Sequence, residues 1–370
     1  MGRILVIGGY GAFGARVSER LAREPSLDVI IAGRREDAAR NAARELSRSA
    51  QARVSHAAFN AATATSDALS AFGAGVVINA SGPFQAQSYG LARACIAARC
   101  HYVDLADARA FVNGITELDG DARAAGVSVI SGASSVPGLS SAVVKEFAGA
   151  FQDLEAIEIG ISPGNSFDPG LATTASILGA VGAPHSVLED GRRQTAYGWQ
   201  GLRRHRFPEI GTRLMSRVDV PDLDLLPEHF PSLKSVRFSA GAEVDPYHLA
   251  LWSLSWLRRA GLIRDPGRLS SPLLGAKRRL RFLGSDRGGM FVTLRGRDAK
   301  GKLHSVEWVL VARSGDGPYV PAMASVILAK RLAAGTGPPP GAQPCFALFT
   351  LADFEAEVAD LDISFHTQSC

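Results

Sequence analysis

The chain has 370 residues, 46% of them hydrophobic and 21% charged, which excludes wholesale disorder and allows a sizeable core without disulfide staples. At about 100–200 residues per domain, this length predicts two domains or three. The formal charge of +4 is spread as +2 over residues 1–150, +5 over 151–320 and −3 over 321–370. No basic segment is interleaved with aromatic residues, so no nucleic-acid partner is expected.

Cysteines stand at 95, 100, 345 and 370 with no C-x-x-C pair, which argues against a disulfide scaffold and a zinc knuckle. Reduced thiols in a cytoplasmic protein are expected. The apolar run at Ile4–Ile7 stops at Gly8 and is too short for a signal peptide. The uncharged stretch from Ala68 to Ala92 is interrupted by Gly, Ser, Asn, Pro and Gln, so no membrane span is expected.

In chain order, Arg3–Ile7 reads as a buried strand cut by Gly8-Gly9. Ala12–Glu24 has helical spacing, with Phe13, Val17 and Leu21 on one face. Asp28–Ala32 is a second strand, Glu36–Ser47 a helix, Arg53–Ala58 a third strand and Gly75–Asn79 a fourth. A helix near Ala86–Arg99, a strand His101–Asp104, a helix to about Ala125, a strand Val127–Ile130 and a helix from about Gly138 follow. Alternation at this pace predicts an α/β fold, a Rossmann-type doubly wound parallel sheet with helices on both faces.

Gly9-Tyr10-Gly11-Ala12-Phe13-Gly14 is G-x-G-x-x-G between the first strand and its helix. The three glycines serve a tight turn, close backbone approach to a pyrophosphate, and helix–strand packing. The helix start then faces the phosphates with its N–H groups. The second strand ends Ala32-Gly33-Arg34-Arg35. An NAD enzyme usually places an acid here for the ribose 2′-hydroxyl; two arginines suit a 2′-phosphate, so NADP (NADPH) is expected over NAD. The fourth strand ends Asn79-Ala80-Ser81-Gly82-Pro83-Phe84, small residues where the nicotinamide half would lie against backbone. Asp104 ends the fifth strand on the same edge, to orient a substrate or to cap the next segment. His101, at the opposite end of that strand, reads as a satisfied or surface histidine.

Other plans are absent. No tyrosine starts Tyr-x-x-x-Lys, and no H-E-x-x-H, G-x-S-x-G or Walker A sequence occurs. Residues 131–150 hold Ser134, Ser135, Ser140 and Ser141 but no cysteine for acyl-enzyme chemistry.

Four segments together resemble the saccharopine dehydrogenase-like family of NAD(P) oxidoreductases. They are Gly8–Gly14 with Ala32-Gly33-Arg34, Val77–Phe84, Tyr102-Val103-Asp104-Leu105, and Gly132–Gly138. The resemblance covers residues 1 to about 145. It implies a Rossmann domain (1–150), a mixed α/β substrate or oligomerisation domain (151–320) whose sheet covers the active site, and a C-terminal segment (321–370) returning to the first domain. It also implies hydride transfer to a small-molecule substrate at a carbon bonded to nitrogen; Asp104 is the candidate for holding that nitrogen, with Ser134 or Ser135 as a hydrogen-bonding neighbour. Serines stand where many relatives carry an acid. The alternatives are reduction of a polarised C=C bond in a lipid-like substrate, and a non-enzymatic NADP(H)-binding sensor or scaffold.

In the second half, Leu154–Ser162 reads as a strand and Asp168-Pro169-Gly170 opens a helix to about Val181. Residues 185–235 read as turns and short strands. Val236–Ala240 reads as a strand and His248–Arg259 as a helix, whose Trp252/Trp256 face, like the second domain's sheet, is a candidate homodimer surface. Arg203, Arg204, His205 and Arg206 form either an anion clamp or a solvated edge. Met290–Gly296 and Leu303–Arg313 flank a hairpin turn, Val320–Ala334 is an apolar helix, Gly335–Pro344 a Gly/Pro loop, and the rest an acidic tail.

Overall fold

A computed structural model describes residues 2–85 and 87–370; Met1 and Ala86, the expected start of one helix, lie outside the described residues. The chain forms two compact units, one of residues up to Leu139 with Pro318–Glu357, the other of Ser140–Gly317 with Val358–Cys370. The expected C-terminal segment 321–370 is therefore divided between them.

The elements begin with β1 (Gly2–Ile7), α1 (Gly14–Leu21), β2 (Leu27–Gly33), α2 (Glu36–Leu46), β3 (Arg53–Ala58) and α3 (Ser66–Ser70). There follow β4 (Val76–Asn79), α4 (Gly90–Ala97), β5 (His101–Asp104), α5 (Arg109–Gly114), α6 (Asp119–Ala125) and β6 (Ser128–Ser131). The second unit contributes α7 (Ser140–Phe147), β7 (Asp153–Ser162), α8 (Gly170–Ala180), β8 (Pro184–Glu189), β9 (Arg192–Tyr197), β10 (Arg203–Phe207), β11 (Gly211–Arg217) and α9 (Asp222–His229). It continues with β12 (Ser235–Ala242), α10 (Asp245–Arg259), α11 (Ser270–Arg279), β13 (Gly288–Arg297) and β14 (Leu303–Ala312). Then α12 (Val320–Ala333), β15 (Gly341–Pro344) and α13 (Leu351–Glu357) belong to the first unit, and β16 (Ile363–Ser369) to the second.

The first unit is a seven-stranded, wholly parallel sheet in the order β15-β6-β5-β4-β1-β2-β3. Leu5, Val6, Val77, Ile78, Val103 and Ile130 are fully buried, as a sheet covered on both faces requires. Helix α12 packs across β1, β4 and β5. It is apolar almost all round, and Ala322, Met323, Val326 and Leu328 have no exposed surface. Lys330 near its end ion-pairs with Glu24 at 2.8 Å and Glu357 at 2.9 Å.

Three expectations here are corrected. The single helix to Ala125 is broken: α5 and α6 are separated by a 3₁₀ turn at Ile115–Leu118, and α6 stops where Gly126 turns left-handed at φ 73°. The Gly/Pro loop 335–344 ends in a true strand, β15, whose flanks bond to β6: Gly341 N–H to Val127 O and Cys345 N–H to Ser131 O. The acidic tail holds a helix and a strand.

The second unit has a mixed seven-stranded sheet, β10-β11-β12-β7-β13-β14-β16, antiparallel except for β7 with β12. It curls strongly: His205 of β10 stacks on Phe291 of β13 with ring centroids 3.6 Å apart, although three strands separate them in the sheet. Phe207, Met215, Val309 and Val311 complete that inner core with Phe291. Gly160 makes room for it, since a Cβ there would lie 2.1 Å from the Phe291 ring. Strands β8 and β9 form a separate hairpin.

Candidate active site

At the carboxyl end of β1 the chain turns at Gly8, φ 79°, whose N–H donates to Ala32 O at 2.8 Å. A Cβ on Gly14 would sit 2.1 Å from Gly8 O, so only glycine lets α1 start this close to the strand. A Cβ on Gly11 would have just one near neighbour, Gly8 O at 3.1 Å, so the backbone is bare on its other side. Helix α1 begins after Phe13 with no side-chain cap and no acid in its first turn. The positive end of the helix is thereby left open, the chemistry a pyrophosphate needs. Gly9 to Gly14 thus fit a dinucleotide.

At the end of β2 the Tyr10 ring lies on Gly33, where a Cβ would come 2.5 Å from it. The Tyr10 hydroxyl accepts the Arg35 N–H at 3.1 Å, and the Arg35 guanidinium stands 5.6 Å from the ring centroid. Arg34 is exposed and has no hydrogen-bond or ion-pair partner among the described residues. Tyr10, the second residue of the glycine turn, therefore braces the segment that carries both arginines.

The loop after β4 adjoins the same turn. The Ala80 N–H donates to Ile7 O at 2.8 Å, and a Cβ on Gly8 would touch the Ala80 carbonyl. Ser81 donates through its amide and its hydroxyl to Asn79 Oδ1. Gln87 Nε2 donates to Ser81 O at 2.8 Å and Pro83 O at 2.9 Å, so one amide group holds both ends of Ser81-Gly82-Pro83. Gln87 has no signal in the sequence beyond being a polar side chain just past a proline turn.

Asp104 is fully buried at the end of β5. Its Oδ1 accepts the Gly132 N–H at 2.8 Å, the Ser131 hydroxyl at 3.0 Å and the Ala106 N–H at 3.0 Å. Oδ2 has no partner among the described residues. Burial pushes the carboxyl up to about 6, opposed by those donors and the nearby Tyr102 hydroxyl. Asn79 Nδ2 donates to the Tyr102 hydroxyl at 3.2 Å. A polar path thus runs from the half-buried Ser81 through Asn79 to Tyr102, whose hydroxyl lies near Asp104. In the sequence Asn79 and Tyr102 are plain strand residues, because their hydrogen bond runs across strands. Ser134 is half-buried and Ser135 buried, and the latter opens a tight turn to Leu139. His101 accepts the Ser128 N–H on Nδ1 at 2.9 Å, a satisfied histidine as expected.

In the second unit the basic run does not converge as a clamp. Arg203 pairs with Glu158 at 3.8 Å and His205 lies against Phe291, while Arg204 and Arg206 are exposed. Arg237 and Arg295 also approach Glu158, each at 3.7 Å. Burial, helped by Arg203 and Arg217, pushes the Arg237 guanidinium down to about 10. Trp252 and Trp256 meet edge to face at 6.2 Å. Among the described residues no cluster of His, Cys, Asp or Glu could hold a metal, and no helix is long and apolar enough to cross a membrane.

Residues 4–130 match the saccharopine dehydrogenase NADP binding domain family. No curated protein matches the sequence. Among solved structures, the chain is similar to apo saccharopine dehydrogenase (L-Glu forming) from Saccharomyces cerevisiae, with 14% identity, all of both chains covered and a TM-score of 0.69. An amine dehydrogenase from Mycobacterium smegmatis shares 11% identity over 94% of this chain and 95% of that one, with a TM-score of 0.49. Those identities speak to fold alone; the family match lies on the unit that carries the glycine turn. Residues 4–130 are thus similar to the saccharopine dehydrogenase NADP binding domain, and the chain as a whole shares the fold of saccharopine dehydrogenase.

Proposed function

We propose that this protein is an NADP(H)-dependent enzyme that transfers hydride at a carbon bonded to nitrogen, reducing an imine to a secondary amine or running the reverse. The observation that carries the cofactor reading is the end of β2, where Arg34 has no partner among the described residues, Arg35 is braced by Tyr10, and arginines stand at the strand end itself. Bound NADPH would supply the hydride. Gly9, Tyr10, Gly11, Ala12, Phe13 and Gly14 would hold the pyrophosphate, Arg34 and Arg35 the 2′-phosphate, and the backbone of Ala80, Ser81, Gly82 and Pro83 the nicotinamide half.

The reaction class rests on the likeness to the saccharopine dehydrogenase NADP binding domain and fold. Asp104 is too deeply buried to meet substrate in this conformation, so its role becomes that of a positioning residue that holds Ala106, Ser131 and Gly132 beside Tyr102. Ser134 and Ser135 are hydroxyls near the same strand ends and can donate to a substrate. Serines in place of a carboxylate favour a second reading, reduction of a polarised C=C bond in a lipid-like substrate. NADPH oxidation should be screened over oxo-acid plus amine pairs and over enoyl or enone compounds, with Asp104→Asn alongside. Turnover on the first panel is expected; turnover confined to the second would overturn the C–N reading, and a full rate in Asp104→Asn would remove that residue from the site.

A further inference from the structure

We propose that the helical layer of the second unit docks on an anionic membrane surface, a property beyond the oxidoreductase reading. The inner faces of this layer share one core, in which Leu254 and Tyr247 of α10 and Leu273 of α11 pack around Leu178, Trp199 and Leu251. The outer positions are apolar as well. Leu249, Trp256 and Leu257 of α10 are exposed. Beyond it, Leu262 is 73% exposed, Leu280 48%, Phe282 75% and Leu283 55%. Single exposed leucines need no explanation, but this many in one stretch mark an interaction surface.

Charge identifies the occupant. Residues 258–287 hold nine arginines and lysines against only Asp265 and Asp286. That net +7 exceeds the +4 of the whole chain, so all the rest is net negative. Arg264, Arg279 and Arg281 are exposed with no partner among the described residues, and they alternate in sequence with Leu262, Leu280 and Phe282. Apolar side chains that enter the headgroup boundary beside unpaired cations are what interfacial binding to acidic lipid requires. A second copy of the chain fits poorly, because a two-fold contact would press this patch against itself, cation on cation.

The test is co-sedimentation of the full chain with phosphatidylcholine vesicles and with vesicles containing phosphatidylglycerol. Binding is expected to the second only, and to fall at least tenfold at about 0.5 M salt, where screening shortens the reach of charge. Phe282→Asp/Leu283→Asp and Arg279→Glu/Arg281→Glu should each cut it at least fivefold, while NADPH affinity, read by cofactor fluorescence, stays at the wild-type value and reports an intact fold. Equal binding to both vesicles, or none at low salt, overturns the proposal. So does light scattering that shows a dimer dissociated by Phe282→Asp/Leu283→Asp, which would make the face a homodimer interface.

Discussion

The two sheets of this protein use their residues differently. In the first unit the strands are parallel, the central ones apolar and buried, and the candidate binding groups gather at their carboxyl ends. In the second, strands of up to ten residues carry charged side chains on the sheet itself, where Glu158 draws in Arg203, Arg237 and Arg295. The first arrangement leaves backbone amides and Arg34 uncommitted and ready for a ligand. The second spends its charges on one another. Each unit also buries one aspartate against a serine hydroxyl: Asp104 with Ser131, and Asp222 with Ser140.

Substitutions can break or sharpen this contrast. The largest effect is expected from Gly14→Ala, whose Cβ would strike the Gly8 carbonyl; NADPH binding should weaken by about 3 kcal/mol or more, roughly a hundredfold, in a fluorescence titration. Unchanged affinity would mean the turn holds no cofactor. Leu328→Ala in α12 should lower stability by about 2–5 kcal/mol in urea unfolding. A loss under about 1 kcal/mol would show that the helix is not part of the first core.

Arg34→Ala should weaken NADPH by about 1.5–3 kcal/mol, tenfold or more, and leave NADH as it was. Equal wild-type affinity for the two cofactors would remove the 2′-phosphate contact altogether.

Asp222→Asn tests the second unit's buried acid. Burial raises its carboxyl from an ordinary 3.8 to about 6. The folded state therefore holds the proton more tightly than the unfolded one, and the stability this confers is complete below about pH 4 and lost as pH rises through 6. Asparagine does not titrate, so the variant's stability relative to wild type should climb by about 1–3 kcal/mol from pH 4 to pH 7. An offset that stays constant between those pH values in urea melts would count against it. The smallest effect is the converse of Gly14. Gly179, inside α8, has open space around its Cβ position, so Gly179→Ala should stabilise by about 0.5–1 kcal/mol in the same melts, with NADPH affinity unchanged.

Much of the first unit was legible because parallel strands buried on both faces read as apolar runs and glycine marks their ends. His101–Asp104 coincides with its strand to the residue, and so does the edge strand Arg53–Ala58, although none of its residues is buried. The cofactor loops were legible for the same reason. Strand β15, Gly-Ala-Gln-Pro, was not: it has no apolar period and exists because the open edge of β6 offers it hydrogen bonds. Strand β16 hid behind the acids at 353–362, although Phe365 stacks on Trp308 at 5.8 Å. The burial of Asp104 was invisible too, since its donors Ser131 and Gly132 are distant in sequence and meet it only through strand order.

Because α12 and β15 complete a sheet begun at Gly2, the first unit cannot finish folding in the order of its synthesis. Residues 140–317 must leave the ribosome before the helix that covers β1, β4 and β5 is made. At roughly 5–20 residues per second, that is about 10–40 s during which an apolar sheet face has no cover of its own. A nascent chain in this state exposes apolar surface, and a chain truncated before residue 320 would keep it exposed rather than form a smaller, working nucleotide domain.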